Sequence, residues 1–338
     1  MLALPSHYQL VLEQNKSGDL VSLKHVIVAG GVCPSELAGQ HYNKLPGTRL
    51  YNEYGPTEAS VWSTVYEIPA ELSTKTIPIG IPIPGSAVLI LDEKLNLLPK
   101  GEVGELYIAG NGVTNGYLNR PEMTAEKFIK TPRSLQKILP ETYTDLPLYR
   151  TGDRVSCNSN GELEFYGRVD QQIKLRGFRI EPGEIETCML DYPGVAEVAV
   201  ILREDKPGIK RLTSYILKKD SEVKLTELRK HLQKYLPVHM IPTSFVVLEE
   251  FPRIPNGKVD RSAFPAPDRS RPPLEQPFTA PLNMLERKLK DLWCEVLDLD
   301  EIGTQDAFFD LGGDSLLAAR FTGELQKQLD EPVFVVTL

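Results

Sequence analysis

Six prolines fall within the nineteen residues 263–281, from Pro265 and Pro267 through Pro272 and Pro273 to Pro277 and Pro281. Proline has no amide hydrogen to donate and fixes φ, so this density forbids a helix and favours an extended, semi-rigid linker. The chain must therefore fold as separate bodies on either side, and a domain boundary is placed there. Beyond it, Leu282, Leu285, Leu289, Leu292, Val296 and Leu297 recur at helical spacing. That predicts an amphipathic helix over 282–297 with these side chains inward. A second helix is expected from Ser315, with Leu316, Leu317 and Phe321 on its inner side.

Before the linker the pattern changes twice. Residues 23–31 read as a buried strand ending in a glycine turn, 34–44 as a helix and 50–54 as a second strand, the end of an α/β layer. From 65 to 166, short strands punctuated by Pro and Gly, clearest at 87–92 and 105–110, predict a small β-rich subdomain. After Asp170 an α+β pattern follows: a hairpin, helices over 183–190 and 225–235, and strands over 195–202, 212–217 and 244–248.

Composition excludes several classes of function. A net charge of −8 argues against a nucleic-acid binder that relies on a positive field. Cys33, Cys157, Cys188 and Cys294 are scattered, with no CxxC pair, which argues against zinc ligation or a disulfide framework and for a reducing cytoplasm. No apolar run approaches a membrane span, and the first twelve residues are too short and polar for a signal peptide. The expectation is a cytoplasmic protein with neither nucleic-acid nor membrane partners.

The stretch from Gly167-Arg168-Val169-Asp170 through Lys174, Gly177 and Pro182-Gly183-Glu184 is dense in charge and glycine, yet alternates as a hairpin would before a helix start. Around it lie Asn52-Glu53-Tyr54-Gly55-Pro56-Thr57-Glu58, Gly104-Glu105-Leu106-Tyr107-Ile108-Ala109-Gly110, Tyr149-Arg150-Thr151-Gly152-Asp153, Asn256-Gly257-Lys258 and Leu311-Gly312-Gly313-Asp314-Ser315-Leu316. In this order the set resembles the amino-acid adenylation domains of nonribosomal peptide synthetases followed by a peptidyl carrier. The resemblance implies 1–169 as the C-terminal part of the large adenylate-forming domain, with 65–166 β-rich. It implies 170–262 as the small α+β subdomain and 282–338 as a carrier helical bundle, truncated.

The same resemblance implies roles. Tyr54 would stack on adenine, Gly55 and Thr57 would lie against ATP, and Glu58 would help hold Mg²⁺. Asp153 would bind the ribose hydroxyls, as suits an acceptor-only carboxylate. Arg168 would contact the ribose–phosphate region, and Asp170 would be the hinge. Lys174 and Gly177 would line the carrier-arm tunnel in the thioester-forming pose. Lys258 would stabilise charge at the carboxylate and α-phosphate as pyrophosphate leaves, and His239 is read as structural. Ile27, Ala29, Glu53, Val61 and Trp62 would line the amino-acid pocket. Ser315, which taken alone could be a helix N-cap, would carry 4′-phosphopantetheine. A phosphopantetheinyl transferase and condensation or other synthetase domains would be its partners. The glycine-rich stretch at 104–118 is read as scaffold.

The family's Ser/Thr/Gly-rich phosphate loop and its amino-binding aspartate do not occur in these residues. On that ground the chain alone is expected to adenylate poorly, and Val26, Val28 and Leu50 to expose apolar surface. Two other readings stand beside this one. One is an incomplete fragment with only a carrier or scaffold role. The other is an acyl-CoA ligase, against which the carrier motif argues.

Overall fold

The computed structural model describes all residues except 15–18, 73–75, 207–208, 220–222, 256 and 330–338. Its contacts divide the chain into two compact units, Met1–Gln171 and Gln172–Leu338, one residue beyond Asp170.

In the first unit, β1 (Leu2–Ala3), α1 (Pro5–Gln14), β2 (His25–Ala29), α2 (Ser35–Lys44) and β3 (Arg49–Tyr54) alternate. The three strands pair in parallel, as crossover helices require, and β4 (Thr64–Ile68) and β5 (Ile81–Pro82) extend the sheet antiparallel. The strand at 64–68 therefore completes the α/β sheet rather than opening the β-rich region. Strand alternation sends Val26, Val28 and Leu50 to one face, where Tyr8 and Leu12 of α1 and Leu37 and Ala38 of α2 cover them. All three are fully buried, contrary to the expected exposure. Helix α1, which hydropathy alone did not announce, is the reason.

The β-rich part is a second sheet of β6 (Ser86–Leu91), β7 (Gly104–Gly110), β8 (Phe128–Lys130), β9 (Pro147–Cys157) and β10 (Leu163–Arg168). The order is β10-β9-β7-β6, with β8 also on β9 and every pair antiparallel. Helices α3 (Pro121–Lys127) and α4 (Arg133–Gln136) lie in its connections.

The second unit opens with a hairpin of β11 (Ile173–Leu175) and β12 (Phe178–Ile180) and with α5 (Pro182–Leu190). Next come β13 (Val195–Lys206), β14 (Ile209–Lys218), α6 (Leu225–Tyr235) and β15 (Ser244–Leu248), the strands forming one sheet with β15 parallel to β14. Ile185, Met189, Leu228 and Leu232 close its core. Helices α7 (Met284–Leu297) and α8 (Ser315–Leu329) build a separate core around Leu292, Val296, Phe308, Leu317 and Phe321. Asn283 caps α7 by accepting from the Glu286 amide at 2.9 Å, so the helix starts two residues later than its leucine spacing suggests. Leu282 and Leu285, expected inward, are exposed.

The proline-rich stretch is extended but not free. Phe264 stacks on Tyr215 at 4.2 Å, and Pro265 O accepts from the Tyr215 hydroxyl at 2.6 Å. Farther on, Arg271 Nε binds the fully buried Asp306 carboxylate at 2.7 Å, and Leu274 packs on the α7–α8 core.

Candidate active site

Within the first unit, three segments converge on the carboxylate of Asp153. Thr151 Oγ1 donates to Leu106 O at 2.7 Å and accepts from the Asp153 amide at 3.0 Å, which pins the middle of β9. Gly152 adopts φ +75°, and a Cβ there would lie 2.7 Å from Arg168 Nη2 and 2.8 Å from Asp170 Oδ2. Only glycine lets the arginine pass that close. A register irregularity between Phe165 and Arg168 re-aims the end of β10 toward β9. Arg168 then places Nη1 2.7 Å from Asp153 Oδ1, Nη2 2.7 Å from Asp170 Oδ2, and Nη2 3.0 Å from Thr151 O. The Tyr54 hydroxyl donates to the other oxygen of Asp153. Burial, and then the Asp153 charge, push the Tyr54 phenol well above its ordinary pKa, so it stays a proton donor.

Tyr54 is 8% exposed and belongs to the buried cluster of Ile79, Ile90, Leu106 and Val155, while its hydroxyl reaches Asp153.

The turn after Tyr54 folds onto itself. A Cβ on Gly55 would lie 2.2 Å from Val61 O, and the Ser63 amide donates to Tyr54 O at 2.9 Å. Ser60 and Val61 both sit in the left-handed region, at φ 58° and 74°, which for a β-branched residue costs on the order of 1–3 kcal/mol. This turn buries Glu58 while leaving Thr57 exposed. The Tyr117 hydroxyl donates to Glu58 Oε1 at 2.5 Å, and the Thr114 amide donates to Glu58 O at 2.9 Å. Ser60 Oγ donates to Gly112 O at 2.7 Å. The glycine-rich stretch is thus more than scaffold, because it clasps the loop that holds Glu58. Burial, then the bond to Glu58, raise the Tyr117 pKa. Tyr117 lies in the glycine-rich stretch read as scaffold, and its bond to Glu58 was not foreseen from the sequence.

Ile27, Ala29 and Glu53 share the face of the first sheet opposite the buried valines, with Ala29 and Glu53 as register partners. Burial raises the Glu53 pKa. Trp62 instead lines a cleft of about 290 Å³ with Ile83, Ile108 and Val113, and Val61 is exposed. Among the described residues, no cluster of three or more His, Cys, Asp or Glu could hold a metal. The buried Glu58 carboxylate fits a cation only as a single oxygen anchor, the mode suited to Mg²⁺ carried largely by phosphates.

In the second unit, Lys174 is exposed on the hairpin, and Gly177 (φ 83°) follows Arg176 in its two-residue turn. Lys258 is exposed on a loop closed by Ile254 N donating to Lys258 O at 2.9 Å. The His239 ring stacks on Phe178 with centroids 4.0 Å apart.

Ser315 opens α8, but Asp314 does the capping, its Oδ1 accepting from the Leu317 amide at 2.7 Å. Aspartate and serine are equally good caps, so sequence could not choose between them. The Ser315 side chain is exposed, and among the described residues its hydroxyl makes no hydrogen bond. A free hydroxyl at an exposed helix start fits the attachment of a prosthetic arm.

Three family models match along the chain in the same order: AMP-binding enzyme over residues 1–118, AMP-binding enzyme C-terminal domain over 184–258, and phosphopantetheine attachment site over 287–338. Bacitracin synthase 3 from Bacillus licheniformis is 42% identical over 329 residues, covering 97% of this chain and 5% of that protein. The chain belongs to the nonribosomal peptide synthetases. A dimodular nonribosomal peptide synthase from Bacillus subtilis is 42% identical over 93% of this chain and 12% of its own length. The chain thus spans a small fraction of the curated relatives it matches. The solved structure of holo-PA1221, a synthetase protein with adenylation and carrier domains, superposes with a TM-score of 0.76 at 28% identity, over 97% of this chain and 52% of that one. The α/β and α+β subdomains and the helical carrier part described above agree with that didomain architecture.

Proposed function

We propose that this chain supplies the nucleotide-ribose grip and the carrier of a synthetase module that activates an amino acid with ATP and loads it onto Ser315. The observation that carries this reading is the Asp153 carboxylate. It is 2% exposed and oriented by Arg168 and Tyr54, an acceptor-only group built to receive a vicinal diol. Arg168 would then exchange part of its grip on Asp153 and Asp170 for the ribose–phosphate region of the nucleotide. Glu58, held by Tyr117, would anchor Mg²⁺, which supplies neutralisation of phosphate charge when bound. Lys258 would bring a second cation to the substrate carboxylate and α-phosphate, where charge builds as pyrophosphate departs. Asp170, beside the division between the units, would act as the hinge, and Lys174 and Gly177 would face the arm during loading.

Gly55 and Thr57 would lie against the phosphates. Ile27, Ala29, Glu53, Val61 and Trp62 would line the amino-acid pocket. Bound to Ser315, 4′-phosphopantetheine would offer a thiol that accepts the aminoacyl group. A phosphopantetheinyl transferase and other synthetase domains are the partners this requires. Four free cysteines fit work in a reducing cytoplasm, and no described helix is long and apolar enough to cross a membrane.

The test is amino-acid-dependent ATP–pyrophosphate exchange in a polypeptide joining this chain to a phosphate loop, with Asp153→Ala compared to the parent. Exchange should fall by about a hundredfold or more if Asp153 grips the transition-state nucleotide, a loss of roughly 3 kcal/mol. Parent-level exchange in a folded Asp153→Ala protein would remove the assignment.

A further inference from the structure

Within the second unit, the body that carries Ser315 lies against a row of arginines. Arg176 sits at the tip of the β11–β12 hairpin in the left-handed region (φ 56°). Its Nε is 2.5 Å from Asp314 Oδ2, and its Nη2 donates to Gly312 O at 3.3 Å. Arg229 Nη2 donates to Asp310 O at 2.8 Å, and Arg211 Nη2 donates to Asp298 O at 3.0 Å. Gly312 (φ +95°) packs so tightly that a Cβ there would lie 3.0 Å from the Thr243 side chain. Burial lowers the pKa of all three guanidiniums, and the facing aspartates raise it again. The guanidiniums are partly desolvated while Asp310 stays half exposed, and each arginine meets both a carboxylate and a backbone carbonyl.

Ser315 itself stays exposed, but the residues on its N-terminal side are occupied: Gly312 by Thr243, and Asp314 by Arg176. An enzyme that modifies Ser315 must settle on the surface around it, and stable interfaces cover roughly 800 Å² per partner. We propose that this arginine face is a docking surface for the chain's own carrier, and that docking withholds the shoulder of Ser315 from the phosphopantetheinyl transferase. Modification then draws on the undocked population. This rests on Ser315 being the attachment site. In that step Ser315 Oγ attacks the pantetheine-bearing phosphorus of coenzyme A and the P–O bond of the diphosphate breaks. 3′,5′-ADP leaves, and the hydroxyl proton passes to a base of the transferase.

The test is the initial rate of transfer from a fluorescent coenzyme A conjugate to the apo form of the full 338-residue chain. The parent is compared with Arg176→Ala and with Arg211→Ala, whose partners are Leu297 and Asp298 rather than the residues beside Ser315, and Ser315→Ala is the control. Both arginine variants lie outside the carrier, and circular dichroism confirms their fold. Each should be modified about three- to tenfold faster than the parent at low ionic strength, as expected for loss of a contact worth about 1 kcal/mol. The difference should shrink at high salt, where the parent undocks too. Equal or slower modification of both variants would overturn the docking proposal while leaving Ser315 as the attachment site. Absence of label in every protein, or label persisting in Ser315→Ala, would overturn the attachment reading itself.

Discussion

Arg168 and Asp153 form one buried ion pair, yet removing the two partners should cost the first unit very different amounts. In Arg168→Met the Asp153 carboxylate stays 2% exposed and keeps only the Tyr54 hydroxyl. Stripping one partner from a buried pair costs about 3–5 kcal/mol, because the remaining charge is uncompensated. In Asp153→Asn the guanidinium keeps Asp170 at 2.5 and 2.7 Å and Thr151 O at 3.0 Å, and the new amide still accepts a hydrogen bond. The loss is then one charge-assisted bond, about 1–3 kcal/mol. The double variant should cost less than the sum of the singles, by about 1–3 kcal/mol, since no buried charge is orphaned. Amide hydrogen exchange in β7 and β9 measures this directly, with β13 and β14 in the second unit as an internal control. Exchange in β7 and β9 should quicken by about two to four orders of magnitude in Arg168→Met and about one to two in Asp153→Asn. Exchange in the control strands should not change. Equal acceleration in the two single variants, or strict additivity in the double, would refute the view that Asp170 shares the arginine's charge.

Three further outcomes are expected. His41 is buried, donating from Nε2 to Thr48 O at 2.8 Å and accepting from the Tyr8 hydroxyl at 2.5 Å, and burial lowers its pKa below 6.5. Between that folded value and 6.5 the unfolded chain holds more protons, so its contribution is full above about pH 6.5 and is lost as pH falls through the folded value. The melting temperature of the first unit should drop on acidification from pH 7.5 to 5, and His41→Gln should flatten that slope. Gly152→Ala should cost several-fold in AMP affinity by calorimetry on the joined polypeptide. The methyl would meet Arg168 and Asp170 at a φ that alanine resists, whereas Gly39→Ala, with open space around it, should bind as the parent does. Asp314→Ala should lower the stability of the α7–α8 body by about 1 kcal/mol or more through loss of its cap together with its Arg176 pair, read from urea unfolding by Trp293 fluorescence, and Ser315→Ala should barely move it.

Local periodicity was legible and distant complementarity was not. Helix α6 and strand β15 occur over the residues their spacing predicts, because Leu228 and Leu232 sit one helical turn apart and residues 244–248 form an unbroken β-prone run. Helix α1 went unread because Tyr8 and Leu12 are a single i,i+4 pair among polar neighbours, a signal too short to separate from chance. The exposure expected of Val26, Val28 and Leu50 rested on the missing phosphate-loop part of the layer, yet Tyr8 and Leu12 of α1 and Leu37 and Ala38 of α2 cover them. The motif residues came from resemblance, while the groups that hold them came from the structure. Tyr117 reaches Glu58 across 59 residues, Tyr54 reaches Asp153 across 99, and Arg176 binds the backbone of Gly312 across 136. No pattern along a chain encodes such pairs, since each depends on which turn brings which hydroxyl or guanidinium to a carboxylate. The division of labour between Asp314 and Ser315 shows the same limit at the shortest range. Two neighbouring residues have equal capping propensity, and only the φ/ψ path out of the Gly312-Gly313 turn decides which becomes the cap and which hydroxyl is left free for chemistry.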